Sequence, residues 1–319
     1  MSIFRKIFGR PNHVAVGNAR AKVGLVVETF GGSIVSIPQI DIMGQTATSP
    51  NGRYRLVWRD RTTICCEDVG GRYVLLDGAE LLVDGAMERP NDGKVADDGT
   101  FILNDWGSRD ALAGTFMAFA RDGRPILKRD YAANLLNNGL SPDGGLAVCQ
   151  TANAPGSPDS SILTVFDLTE ERIRATWRAE SGWASSYAFP SNNIVRMLRG
   201  DRISLDYSLD GEFLDRKVWL KDEVGRGTLH VIRIALADGA DESGLSTGEL
   251  RQGVRAVLAS NDGRFYAEAW RLMGEIEENA DDAAAALAAY DEALAINPKI
   301  GAAKRAAGLR KALAGSPSS

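Results

Sequence analysis

The chain has 319 residues, 44% of them hydrophobic and 25% charged, and carries a formal net charge of −5. That length holds one large or two ordinary domains with real cores, and that charge gives no ground for a nucleic-acid partner, which calls for a basic stripe. Three cysteines (Cys65, Cys66, Cys149) and two histidines (His13, His230) argue against a disulfide framework, a histidine-rich metal centre and a Ser-His-Asp arrangement, and they fit the reducing cytoplasm.

In chain order, residues 1–13 come first. The start MSIFRKIFGR is no secretory signal, because its apolar run is short and broken by Arg5 and Lys6. Ile3, Phe4, Ile7 and Phe8 fall at helical spacing beside Arg5, Lys6 and Arg10. Residues 1–10 therefore read either as a weak membrane or partner contact or as a terminus docking on its own domain. No later stretch approaches the roughly 20 apolar residues of a membrane span.

Residues 14–237 read as β-structure. Glycine-type turns recur at 49–52 (SPNG), 96–99 (ADDG), 141–144 (SPDG) and 189–192 (FPSN), at steps of 47, 45 and 48 residues. Each is followed by a strand-like run: Tyr54 to Trp58, Phe101 to Leu103, Leu146 to Cys149 and Ile194 to Leu198. Between them lie hairpin patterns turning at Gly31-Gly32, Asp77-Gly78, Asp122-Gly123, Thr169-Glu170 and Asp210-Gly211, the last spanning Ile203 to Trp219. With Thr228 to Leu236 (TLHVIRIAL) as a fifth inner strand, the count gives five four-stranded sheets closed into a ring, a five-bladed β-propeller.

SPDG followed by a strand and then by VFDL (Val165 to Leu168) resembles the repeats of WD40-like and TolB-like propellers, over about residues 40–220. The Trp-Asp ending of WD40 blades, the aspartate boxes of sialidases and the tryptophan-docking repeats of quinone-dependent dehydrogenases are missing. Those absences count against the corresponding activities. Tyr131, Trp177 and Trp219, at similar distances after their turns, read as packing between sheets. Trp58 and Trp106, at strand ends, are candidates for a surface site.

After about Gly239 the composition becomes alanine-rich and β-branched residues thin out. Residues 238–246 read as a linker, 247–313 as helices and 314–319 as a disordered end. The segment 267–298 (AEAWRLMGEIEENADDAAAALAAYDEALAINP) resembles a tetratricopeptide repeat: Trp270, Met273 and Gly274 match its first helix, Ala286, Tyr290 and Ala293 its second, and Pro298 its end. Glu277 stands where that family usually carries an aromatic residue. Trp270, Glu277 and Tyr290 are the interaction candidates here.

The overall expectation is a mainly β protein with an all-α tail, a propeller platform plus a short tetratricopeptide-like domain. It would act as a non-catalytic scaffold for other proteins or for its own copies, without cofactor or metal. The alternative is a five-bladed glycoside hydrolase using channel carboxylates, with Asp60, Asp105 and Glu67 as candidates.

Overall fold

A computed structural model describes residues 24–64, 67–107, 112–200, 203–260 and 262–315. The readings of residues 1–13, of the Cys65-Cys66 pair and of the last four residues lie outside this set. The described chain is a series of antiparallel sheets followed by helices, and it divides into two compact units. One comprises residues up to Asp130 with Pro142–Gly144, the other Tyr131–Ser141 with Gly145 onward.

In the first unit the strands are β1 (Glu28–Thr29), β2 (Ile34–Ile37), β3 (Ile42–Thr48), β4 (Tyr54–Arg59), β5 (Thr62–Ile64), β6 (Glu67–Val69), β7 (Gly71–Asp77), β8 (Glu80–Met87), β9 (Pro90–Val95), β10 (Phe101–Asp105), β11 (Gly114–Phe119) and β12 (Pro125–Tyr131). They form a six-stranded sheet in the order β1-β2-β3-β4-β7-β8, a four-stranded sheet β12-β11-β10-β9, and the small ribbon β5-β6. One face of the large sheet meets the second sheet through Tyr54, Leu56, Trp58, Tyr73, Leu75, Phe101, Leu103 and Phe119. Its opposite face buries Val35, Ile37, Ile42, Val57, Val74 and Leu76. This period-two division is what the alternating side chains of β2, β4 and β7 dictate.

Three of the four expected turns fall where expected; residues 189–191 of the fourth continue a strand, and the chain reverses at Asn192 and Asn193 instead. Gly52, Gly99 and Gly144 each take a positive φ, which an L side chain disfavours. Ser49 and Ser141 close their turns identically: each Oγ accepts the N–H of the residue five positions on, Tyr54 or Leu146, at 2.9 Å. Successive turns are also joined. Asn51 N–H donates to Asp97 Oδ1 at 2.7 Å, and Asp97 N–H donates to the Pro142 carbonyl at 2.8 Å.

In the second unit β13 (Leu135–Leu140), β14 (Leu146–Thr151), β15 (Leu163–Asp167) and β16 (Arg172–Trp177) make a four-stranded meander. β17 (Ser186–Ser191), β18 (Ile194–Arg199) and β19 (Ile203–Ser208) make a three-stranded one. Six α-helices follow among the described residues: α1 (Arg216–Gly225), α2 (Leu229–Ser243), α3 (Thr247–Leu258), α4 (Tyr266–Asn279), α5 (Ala283–Ile296) and α6 (Ala303–Gly315).

Two expectations about the closure of the ring are corrected. The fifth hairpin, Ile203 to Trp219, begins as expected, with Gly211 at φ 98° and one bridge between Tyr207 and Phe213. The chain then enters α1 instead of a fourth strand, because Trp219, Leu220 and Val224 bury a helical stripe. The closing strand at 228–236 is the first part of α2. Val231, Ile232 and Ala235, at i, i+1 and i+4, face one core with Leu205 of β19, Leu250 and Val254 of α3, and Leu272 and Ile276 of α4. The strand that was to close a five-bladed ring is therefore absent, and β1-β2 extends the first sheet instead.

The segment expected as a linker is packed. Gly239 (φ 75°, ψ 176°) breaks α2, Gly244 ends it in the left-handed region, and Ser243 and Leu245 are buried. A ladder of rings, Trp177, Tyr207, Phe213 and Trp219, runs from the sheets into the helices with centroids 4.3–6.0 Å apart.

Candidate interaction surfaces

The five sequence candidates fall in both units, Trp58 and Trp106 in the first and Trp270, Glu277 and Tyr290 in the second. Trp58 is buried in the core between the two sheets of the first unit, with Gly93 beneath its ring. Trp106 is half-buried under the Arg89 guanidinium, 5.6 Å from its ring centroid. Trp270 packs on the helical core.

Glu277 is buried on α4 and accepts both arms of Arg251 from α3, with Nε–Oε1 at 2.8 Å. The hydrogen bond to Glu277 raises the Arg251 guanidinium further above its usual range. An ion pair thus joins α3 to α4. Glu277→Leu is expected to lower the thermal midpoint, and Glu277→Gln to lower it less, since the amide oxygen still accepts from Arg251. A scan that shows no loss for the leucine variant would contradict this role.

Tyr290 is fully buried on α5, with its ring against Gly274 of α4. Its hydroxyl donates to Glu278 and accepts from Arg305 Nη1 at 3.1 Å. Burial first, then the bond to Glu278, pushes its phenol above the ordinary range.

The carboxylate candidates are engaged as well. Asp105 accepts three backbone N–H groups, those of Glu88 (3.3 Å), Arg89 (2.9 Å) and Gly107 (2.9 Å). Asp60 accepts the Arg89 guanidinium at 3.3 Å and the Arg61 N–H at 2.7 Å. Glu67 lies on β6, and its side chain is outside what the structure describes. Among the described residues no three His, Cys, Asp or Glu side chains converge as a metal site, and no helix is long and apolar enough to cross a membrane.

Two surface features remain, and neither was singled out by sequence. The first is the loop before β17. Gln150, buried on β14, holds it with both ends of its amide: Nε2 donates to the Gly182 carbonyl (3.1 Å), and Oε1 accepts from the Ala184 N–H (3.0 Å). Asn137 Nδ2 donates to the Ala184 carbonyl at 2.6 Å. The Ser181 N–H donates to Tyr207 Oη (3.2 Å), which donates back to Ser181 Oγ (3.0 Å). Between these ties Trp183 stands 47% exposed. A tryptophan flanked by glycine, alanine and serines and lying outside every periodic run was the available signal. Gln150→Leu removes the tie to the buried Ala184 N–H. It is expected to cost about 1–3 kcal/mol, and to speed hydrogen exchange of the Ala184 amide. Unchanged exchange would show that the amide clamp does not hold the loop.

The second feature is the face of β1-β2-β3 that continues the Trp58 side of the large sheet. Cross-strand register places Glu28, Ser36 and Met43 on this face, along with Ile34, Gln45 and Trp58. Phe30 joins Ile34 across the turn. Val26 (53%), Phe30 (57%), Ile34 (43%) and Met43 (53%) are exposed there. A cleft of about 350 Å³ opens beside them, walled by Ile34, Met43, Gln45, Trp58, Pro90 and Asn91.

No protein-family model matches the chain, and no match to a curated protein sequence is found.

Proposed function

We propose that this chain is a non-catalytic scaffold that binds another protein, with Trp183 as its anchor. The observation that carries this reading is the clamped loop. The backbone on both sides of the exposed Trp183 is tied at Ser181, Gly182 and Ala184, so the loop has little ordering entropy left to lose on binding, and exposed tryptophans are frequent hot spots of interfaces. The engagement of Asp60 and Asp105 by Arg89 and backbone groups supports a non-catalytic reading over the hydrolase alternative, which needs one carboxyl group free to protonate a leaving group.

The finer architecture belongs to the same proposal. Two four-stranded meanders with a glycine turn after the first strand, and the same turn between β3 and β4 of the larger sheet, joined turn to turn through Asn51, Asp97 and Pro142, favour propeller-like blades. The α4-α5 hairpin, with Tyr290 seated on Gly274, favours a tetratricopeptide-like unit. A cytoplasmic setting accords with the sparse cysteines.

The test is affinity capture from the native cell with the full chain and with Trp183→Ser. Truncation of the helices is unsuited, because α3 and α4 share their core with α1, α2 and β19. A partner held by the wild type and lost from a folded Trp183→Ser chain is the expected result. Equal recovery with both would remove Trp183 as the anchor.

A further inference from the structure

We infer that the N-terminal segment of this same chain, through Ile3, Phe4, Ile7 and Phe8, covers the open face of β1-β2-β3. The segment lies outside the described residues, so the inference rests on the face it would cover and on the sequence that would cover it. Val26 and Phe30, which flank β1, and Ile34 and Met43 on β2 and β3 are each about half exposed on this side of the sheet. A patch of this kind on a folded protein marks a contact. On the other side of β2 and β3, Val35, Ile37 and Ile42 are buried in a closed core, so the large exposed apolar side chains lie on one face.

Charge and chain geometry both select the segment. Residues 1–23 carry Arg5, Lys6, Arg10, Arg20 and Lys22 and no acidic residue. Residues 24–52 carry Glu28 and Asp41 and no basic residue. Glu28 sits opposite Ser36 on the apolar face itself. The potentials are complementary, as at a specific contact.

The segment joins the described body at Gly24, two residues before Val26, so this face is the nearest apolar surface along the chain. The residues from Phe8 to Gly24 span at most about 50 Å when extended, at roughly 3.3 Å each. The three strands, spaced about 4.8 Å apart, lie well within that reach. Tethering gives an effective concentration on the order of millimolar, so a short amphipathic stretch that is marginal alone gains a partner surface. The inference is independent of Trp183, which belongs to the other unit.

The experiment uses the full chain with the photo-crosslinker p-benzoylphenylalanine replacing Met43, irradiated at two protein concentrations and mapped by peptide mass. The expected adducts fall within residues 1–10, are intramolecular, and have the same yield at both concentrations. Phe4→Ser with Phe8→Ser in the same chain is expected to reduce those adducts several-fold while the circular dichroism of the sheets is kept. A chain with the crosslinker at Ile173, an exposed apolar site of the second unit, is expected to give none to residues 1–10. Four results would overturn the inference: no adduct to residues 1–10, dimers that grow with concentration, equal adducts from Ile173, or capture of lipid in place of the segment when phosphatidylserine vesicles are present.

Discussion

Gly44→Ala is expected to destabilise the first unit by about 3 kcal/mol or more, at the upper end of what overpacking does. A Cβ on residue 44 would stand 2.0 Å from the carbonyl oxygen of Trp58 and 2.7 Å from its carbonyl carbon. These atoms are backbone, so no rotamer change relieves the contact. Only separation of β3 from β4 does, and that breaks the register Gln45–Trp58 through Thr48–Arg55. The same shift opens the wall between the cleft and the core. Denaturant unfolding monitored by tryptophan fluorescence checks the magnitude. A loss below about 1 kcal/mol, within the reach of small relaxations, would mean that β3 and β4 are not this close.

Tyr290→Ala is expected to cost about 3–5 kcal/mol, as other large-to-small aromatic truncations in cores do. The ring is fully buried among Ala286, Ala302 and Ala306, and a Cβ on Gly274 would meet it at 2.5 Å. Leu287, Leu294, Ile300 and Leu309 pack on this cluster from its partly exposed rim, so any collapse into the space must draw them from that rim. Truncation also removes the hydroxyl that Glu278 and Arg305 share, although those two retain each other at 3.1 Å. Tyr290→Phe keeps the ring and is accordingly expected to cost only about 1 kcal/mol. Urea unfolding followed at the helical circular dichroism band separates the variants. Equal losses would place the energy in the hydroxyl and not in the ring.

The difference between these residues and the true surface shows what sequence conveys about this chain. The turns at Gly52, Gly99 and Gly144, the strands after them and the hairpins at Gly78 and Gly123 are legible because they depend on local chemistry: a positive φ at glycine, and serine or aspartate side chains bonding their own turn. TLHVIRIAL is not legible in that way. A short apolar run suits a buried strand or a buried helix equally, and the partner surfaces of Leu205, Leu250 and Leu272 decide it.

The same holds for the aromatic candidates. Trp58 stands out as a strand-end aromatic and Trp270 and Tyr290 through the resemblance to a tetratricopeptide repeat, and in all three the same apolar bulk suits a core. Glu277 interrupts a periodic run because Arg251, twenty-six residues upstream, meets it. Trp183 and the face of β1-β2-β3 lie outside any periodic helix. They become visible only when burial and cross-strand register are known.

Hydrogen exchange of the captured complex against the free chain tests the central claim most directly. Binding through the clamped loop predicts new protection centred on residues 181–186, with the helical hairpin 266–296 unchanged. Protection confined to the hairpin, or the same pattern in a complex formed by Trp183→Ser, would contradict it.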